Sequence, residues 1–126
     1  MGTFQVTVEV AASPEGPFEP IEALVGSGST LALLPRAQLE RLGVAVAEVQ
    51  TLIHADGSKH EHEVGKAWLR LGDEAELVPV VFGGDEAEPQ LGGMTLTALR
   101  LEVDGATETL RPLTLYLPGI RLVEQP

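Results

Sequence analysis

Phe4, Val6, Val8 and Val10 alternate with Thr3, Gln5, Thr7 and Glu9. A period of two over Thr3 to Val10 predicts a strand buried on one face. Ser13-Pro14-Glu15-Gly16-Pro17 is turn chemistry, so the apolar run from Ile21 to Val25 returns as a hairpin partner. Gly26-Ser27-Gly28-Ser29 breaks that run, and Leu31 to Leu34 resumes as a buried strand. Pro35 suits the first position of a helix over Arg36 to Leu42. Leu39 and Leu42 face the core there, and Gly43 is the stop. Two strand patterns, Val49 to Ala55 and Ser58 to Leu71, flank Asp56-Gly57, which predicts a two-residue type I′ hairpin turn. Glu76 to Phe82 is a further strand after the turn at Leu71-Gly72-Asp73, and Gly83 to Pro89 an acidic loop. Met94 to Leu101 is read as a second short helix, Val103 to Thr107 as a turn, and Leu110 to Leu117 as a late strand. The sum is an all-β, barrel-like domain with two short helices.

The chain has 126 residues, enough for one core. The expected organisation is one domain over residues 1–118 and a loose tail over 119–126. With 44% hydrophobic and 21% charged residues, a disordered chain is excluded. Eight Lys and Arg stand against 19 Asp and Glu, a formal net charge of −11. That charge argues against nucleic acid and anionic membrane surfaces as partners. There is no apolar run of roughly 18 residues and no signal-peptide pattern at the start, so cytoplasm is the default location. With no cysteine, disulfides and thiolate metal sites are excluded.

The chemistry lies in Ala23-Leu24-Val25-Gly26-Ser27-Gly28-Ser29-Thr30-Leu31: apolar strand, tight Ser-Gly turn, small hydroxyl residues, apolar strand. This segment resembles the active-site loop of the retropepsin-like aspartic peptidases, which reads apolar-apolar-Asp-Ser/Thr-Gly-Ala/Ser. Leu33-Leu34-Pro35 and the helix ending Glu40-Arg41-Leu42-Gly43 look like the bacterial single-domain members. Ala55-Asp56-Gly57 resembles the tip of their flap, and Gln90-Leu91-Gly92 their second apolar-apolar-Gly element. The ordered set spans roughly Thr3 to Pro112. It implies a closed acid-protease β-barrel with one lobe per chain, working as a homodimer on extended peptides without a cofactor. The site residues it implies are Gly26, Ser27 and Gly28 in the catalytic loop. Ser29, Ala55, Asp56, Gly57 and Ser58 would touch substrate, and Leu91 and Gly92 would support the loop. The terminal strand with Leu113, Leu115 and Leu117 would contribute to the dimer.

The sequence departs from the family at one position: Gly26 stands where the family has its catalytic aspartate. None of Asp56, Asp73, Asp85 and Asp104 precedes a Ser/Thr-Gly pair. A two-fold dimer would otherwise hold two carboxylates sharing one proton, one activating water and one polarising the scissile carbonyl. Gly26 removes both, so the expected protein binds peptide without cutting it. An inactivated peptidase and a natural non-catalytic relative both fit, and a non-enzymatic β-barrel interaction module is the alternative. His60 and His62 share a strand face, but a two-residue turn would put His54 on the other side, so no metal site is expected. One of Trp68 and Leu69 is core, and a substrate-stacking role for Trp68 stays open.

Overall fold

The computed structural model describes residues 3–26 and 28–116. Ser27, Leu117 and the expected tail over 119–126 lie outside the described residues. The order is β1 (Phe4–Ala11), β2 (Glu19–Val25), β3 (Ala32–Pro35), α1 (Arg36–Leu42), β4 (Val46–Ile53), β5 (Lys59–Leu71), β6 (Glu74–Gly83), α2 (Gly93–Ala98), β7 (Leu101–Asp104) and β8 (Thr109–Pro112). The alternation in β1 resolves as expected: Val8 and Val10 are fully buried, and Gln5 and Thr7 are exposed. β1 and β2 pair antiparallel from Phe4↔Val25 to Val10↔Glu19. α1 stops at Gly43, whose φ of 92° is the left-handed cap that glycine adopts without steric cost. Pro35, expected inside the helix, is instead its N-cap in extended backbone and the last residue of β3.

The main sheet runs β2-β1-β5-β6-β3, with β4 added to the outer half of β5. β3 and β6 pair in parallel. The two ends of this order are joined through a single residue, because Gln90 bridges Leu24 of β2 on one side and Leu33 of β3 on the other. The N–H groups of Leu33 and Gln90 donate to each other's carbonyls at 2.9 Å each. The Leu24 N–H donates to the Pro89 carbonyl at 2.8 Å, and the Leu91 N–H to the Leu24 carbonyl at 2.9 Å. These bonds bridge the two ends of the sheet and satisfy the backbone groups of Leu24 and Leu33, which would otherwise stand unpaired at its edges. Inside lie Val8, Val25, Leu34, Leu39, Leu69 and Val80. Leu69 is therefore the core member of its pair. Trp68 is half-buried, opposite Ala11 and Leu77.

β5 is long because it serves three neighbours, pairing with β1 through Trp68 to Arg70 as well as with β4 and β6. From Val64 onward it pairs with β6, whereas Lys59 to Glu63 pair with β4 alone. The β4–β5 hairpin thus projects from the barrel, and most of β4 is exposed. β4 begins three residues earlier than expected. Its turn also differs from the sequence expectation. Ile53 pairs with Lys59, His54 N–H donates to the Ser58 carbonyl at 2.8 Å, and Gly57 N–H donates to the His54 carbonyl at 2.9 Å. Ala55-Asp56-Gly57 is a three-residue loop, with Gly57 at φ 87° supplying the left-handed position of a type I turn plus bulge. One extra loop residue shifts the register by one and exchanges faces. His54 therefore shares a face with His60 and His62, contrary to the sequence reading.

The C-terminal part also differs. α2 covers only Gly93–Ala98, and the chain reverses at Arg100 (φ 59°) into β7. β7 and β8 form a separate two-stranded ribbon around the turn at 105–108. The late strand expected over Leu110 to Leu117 is confined, among the described residues, to Thr109–Pro112; Leu113 to Tyr116 carry no strand.

Candidate functional site

β2 ends at the fully buried Val25, and the chain then leaves the barrel wall at Gly26 and returns as β3. Gly26 and Gly28 have φ of 87° and 84°, a region that L side chains enter only with strain, so the two glycines permit the sharp exit. Ser29 turns the chain back by donating its hydroxyl to the Leu31 carbonyl at 2.6 Å. The loop is held from behind by the start of α2. Gly93 N–H donates to the Ser29 carbonyl at 2.9 Å and Met94 N–H to the Thr30 carbonyl at 3.1 Å. That approach depends on Gly92. A Cβ there would stand 2.3 Å from the Thr30 oxygen and 2.5 Å from the Leu31 carbonyl carbon. Gly92 has ordinary extended backbone, φ −90° and ψ 169°, so it serves space rather than torsion. The adjacent Leu91 is buried.

A cavity of about 760 Å³ lies between this loop and the β4–β5 hairpin. Gly28, Ser29, Thr30 and Leu31 form its floor, and Thr51 to Ala55 with His62 form its outer wall; Leu33, Val81 and Gln90 complete it. Its size is that of a ligand cleft. A smaller hollow of about 320 Å³ is lined by Gly26, Gly28, Ser29, Leu91, Gly93, Leu96 and Val103. No Asp or Glu lines either space among the described residues.

Of the residues singled out in the sequence, Gly26, Gly28, Ser29, Leu91 and Gly92 meet at the loop. Ala55 reaches the large cavity from the hairpin. Asp56, Gly57 and Ser58 sit beyond the cavity lining, at the exposed tip, where they build the turn. Ser27 lies outside the described residues. Trp68 does not line the groove. Gln90, Thr51, His54 and His62 line it without having been singled out as groove residues. The one available signal was Gln90, a polar residue leading an apolar-Gly element. No group of three or more His, Cys, Asp and Glu side chains is arranged to hold a metal ion among the described residues, and no helix there is long and apolar enough to cross a membrane.

Asp56 accepts from the Ser58 hydroxyl at 2.6 Å and from the Ser58 N–H at 2.9 Å. These donors, the hydroxyl foremost, hold its carboxyl below the usual value of 3.8. A depressed carboxyl favours the folded turn above the unfolded value, and that contribution is lost as pH falls through the folded value. The Asp56 side-chain carbon is therefore expected to titrate in NMR with a midpoint below 3.8. Ser58→Ala should move the midpoint upward.

No protein-family model and no curated protein matches this sequence. Solved structures do match in shape. EIAV protease complexed with the inhibitor HBY-793 aligns with a TM-score of 0.58 over 78% of this chain and 88% of its own, at 15% identity. A retropepsin-like aspartic protease from Rickettsia conorii aligns with a TM-score of 0.53 over 82% of this chain and 89% of its own, at 19% identity. In both alignments the shared part takes in nearly all of the solved chain, so the likeness extends to the whole barrel rather than to one hairpin. The barrel closed through Gln90, the glycine-bounded loop and the overhanging hairpin together make the fold of this chain that of the retropepsin-like aspartic proteases.

Proposed function

We propose that this chain is one half of a homodimeric, retropepsin-like peptide-binding protein that holds extended peptides without cleaving them, Gly26 standing at the position of the catalytic aspartate. The observation that carries the reading is the composition of the groove. A cavity of about 760 Å³, lined by apolar, hydroxyl, amide and imidazole side chains, sits directly over the loop, and no Asp or Glu lines it among the described residues. In the active chemistry of this fold, a carboxylate must take a proton from water while a second, protonated one polarises the carbonyl. Glycine offers neither group. Binding needs only backbone partners and pockets for alternate side chains, as in strand addition, and the hairpin and loop walls provide both.

The smaller hollow beside Gly26 and Gly28 is where the loop of a second copy would seat, because a two-fold axis must bring the same patch of both chains together. Ser27 and Gly28 would brace the paired loops, and Ser29 and Ala55 would contact peptide, with Asp56, Gly57 and Ser58 closing over it as a flap. The alternative is a monomeric β-barrel interaction module. It is supported by the exposed Val49 (56%) and Ile53 (69%) on the one-sided strand β4, which offers a free edge to a partner strand.

Sedimentation together with binding of a fluorescent peptide library separates the two. The first reading expects dimers at micromolar concentration, one peptide per dimer, and no cleavage products. A chain that stays monomeric and binds one partner strand each replaces it with the second.

A further inference from the structure

We propose that the β4–β5 hairpin carries a two-histidine chelate for a divalent transition-metal cation of the zinc class, formed by the Nε2 atoms of His54 and His62. The site follows from the three-residue turn, which places both rings on the same face of the hairpin, His54 just after β4 and His62 within β5. Their Nε2 atoms are 2.8 Å apart, and the rings are nearly parallel, at 26° with centroids 5.1 Å apart. At that distance one nitrogen donates and the other accepts, so the pair shares a single proton between two lone-pair sites. Two nitrogens bonded at about 2.0–2.1 Å to one tetrahedral cation stand about 3.3 Å apart, so the ion enters when the pair opens by about half an ångström and the two rings, which now face each other nitrogen to nitrogen, pivot until both lone pairs point at it. The cation takes both Nε2 lone pairs, the proton that lay between them moves to Nδ1 of the donating ring so that both imidazoles stay neutral, and water fills the remaining positions.

His60 packs on the His54 ring, with centroids 4.2 Å apart, but its Nε2 is committed elsewhere. The Ser58 hydroxyl has one proton and gives it to Asp56 at 2.6 Å, so its oxygen accepts from the His60 Nε2–H at 2.9 Å. His60 is thereby a neighbour of the chelate rather than a ligand, in keeping with the absence of any three-ligand arrangement among the described residues. The remaining surroundings favour a cation. The net charge is −11, which raises the local concentration of divalent ions. Imidazole nitrogen selects zinc, nickel and copper over magnesium and calcium. A bound ion would fasten β4 to β5 at the base of the tip. It would also sit on the wall of the groove, since both ligands line it. None of this depends on the chain dimerising or on its peptide binding.

The test is titration of the full chain with zinc chloride, followed by calorimetry and by the imidazole nitrogen signals in NMR, with magnesium chloride as the control. The expected result is one zinc per chain, with perturbation of the His54 and His62 Nε2 signals and both rings carrying their proton on Nδ1 in the zinc-bound form. Binding should be lost in His54→Gln and in His62→Gln and retained in His60→Gln. His54 and His60 are exposed and His62 is half-buried, and a circular dichroism spectrum unchanged from the parent confirms that each variant is folded. Zinc binding that survives in the His54→Gln/His62→Gln double variant, or no binding by the unaltered chain up to millimolar zinc, overturns the proposal.

Discussion

Gly26→Asp is expected to yield a protein that cuts peptides under conditions in which the parent is expected to leave them intact. The substitution would place a carboxylate on each loop of a dimer, and two carboxylates so close share one proton. Cleavage should therefore run from acidic to near-neutral pH, failing when both groups are protonated or both ionised. A general base alone is worth about 10²–10⁴-fold, and groups acting together contribute more, so the gain should stand far above background in a peptide-library assay. A transition-state mimic with a central hydroxyl should inhibit the variant, the hydroxyl taking the place of the attacking water. The backbone adds a condition. Gly26 has a φ of 87°, where aspartate is strained by about 1 kcal/mol or more unless the loop relaxes. The variant is thus expected to be slightly less stable than its parent while more active. If a folded, dimeric Gly26→Asp protein leaves every peptide intact, Gly26 is not the missing catalytic position and the interaction-module reading gains the ground.

Gly92→Ala should be among the most damaging single-methyl additions in the chain. The new Cβ would lie 2.3 Å from the Thr30 carbonyl oxygen, and both obstacles are backbone, which cannot rotate aside. Either α2 retreats and gives up the Gly93–Ser29 and Met94–Thr30 hydrogen bonds, or the loop is displaced into the groove. Overpacking of this kind costs about 3 kcal/mol, a large part of the roughly 5–15 kcal/mol that holds a domain folded. Gly84→Ala is the matched control: nothing lies within 4 Å of its Cβ position, and a change within about 0.5 kcal/mol is expected. Urea unfolding of the two variants measures the difference. Equal midpoints would mean that the loop is not supported by α2.

The barrel strands and the loop were legible because each carries a local signal. Val8 and Val10 alternate with polar residues, Gly43 marks a helix end, and Gly26 and Gly28 bracket an interruption between two apolar runs. Leu91-Gly92 was legible as a loop support only through the family resemblance, and the close approach that requires a glycine at 92 emerges from the structure. Three features had no comparable signal. A bridge made by one residue, Gln90, has no periodicity to read. Asp56-Gly57 fits a two-residue and a three-residue loop equally well, and the choice, which decides the face of His54, is made by the pairing of Ile53 with Lys59. The β7–β8 ribbon has strands of four residues, too short for a pattern. Its approach and its turn use Arg100 and Glu108 at φ of 59° and 54°, where a sequence reader expects glycine.

Closure through Gln90 also sets an order of events during folding. The residues it joins to, Leu24 and Leu33, lie far upstream, so a nascent chain has its glycine-bounded loop long before it has the segment that pins it. Contacts of such wide sequence separation are slow to form, because the entropy of loop closure is lost before the bonds repay it. Until residues 89–94 arrive, β2 and β3 are two open edges and the loop has no backing from α2. A fragment ending before Pro89 would be a ribbon prone to pair with its own copies, and the groove is among the last parts of the molecule to exist.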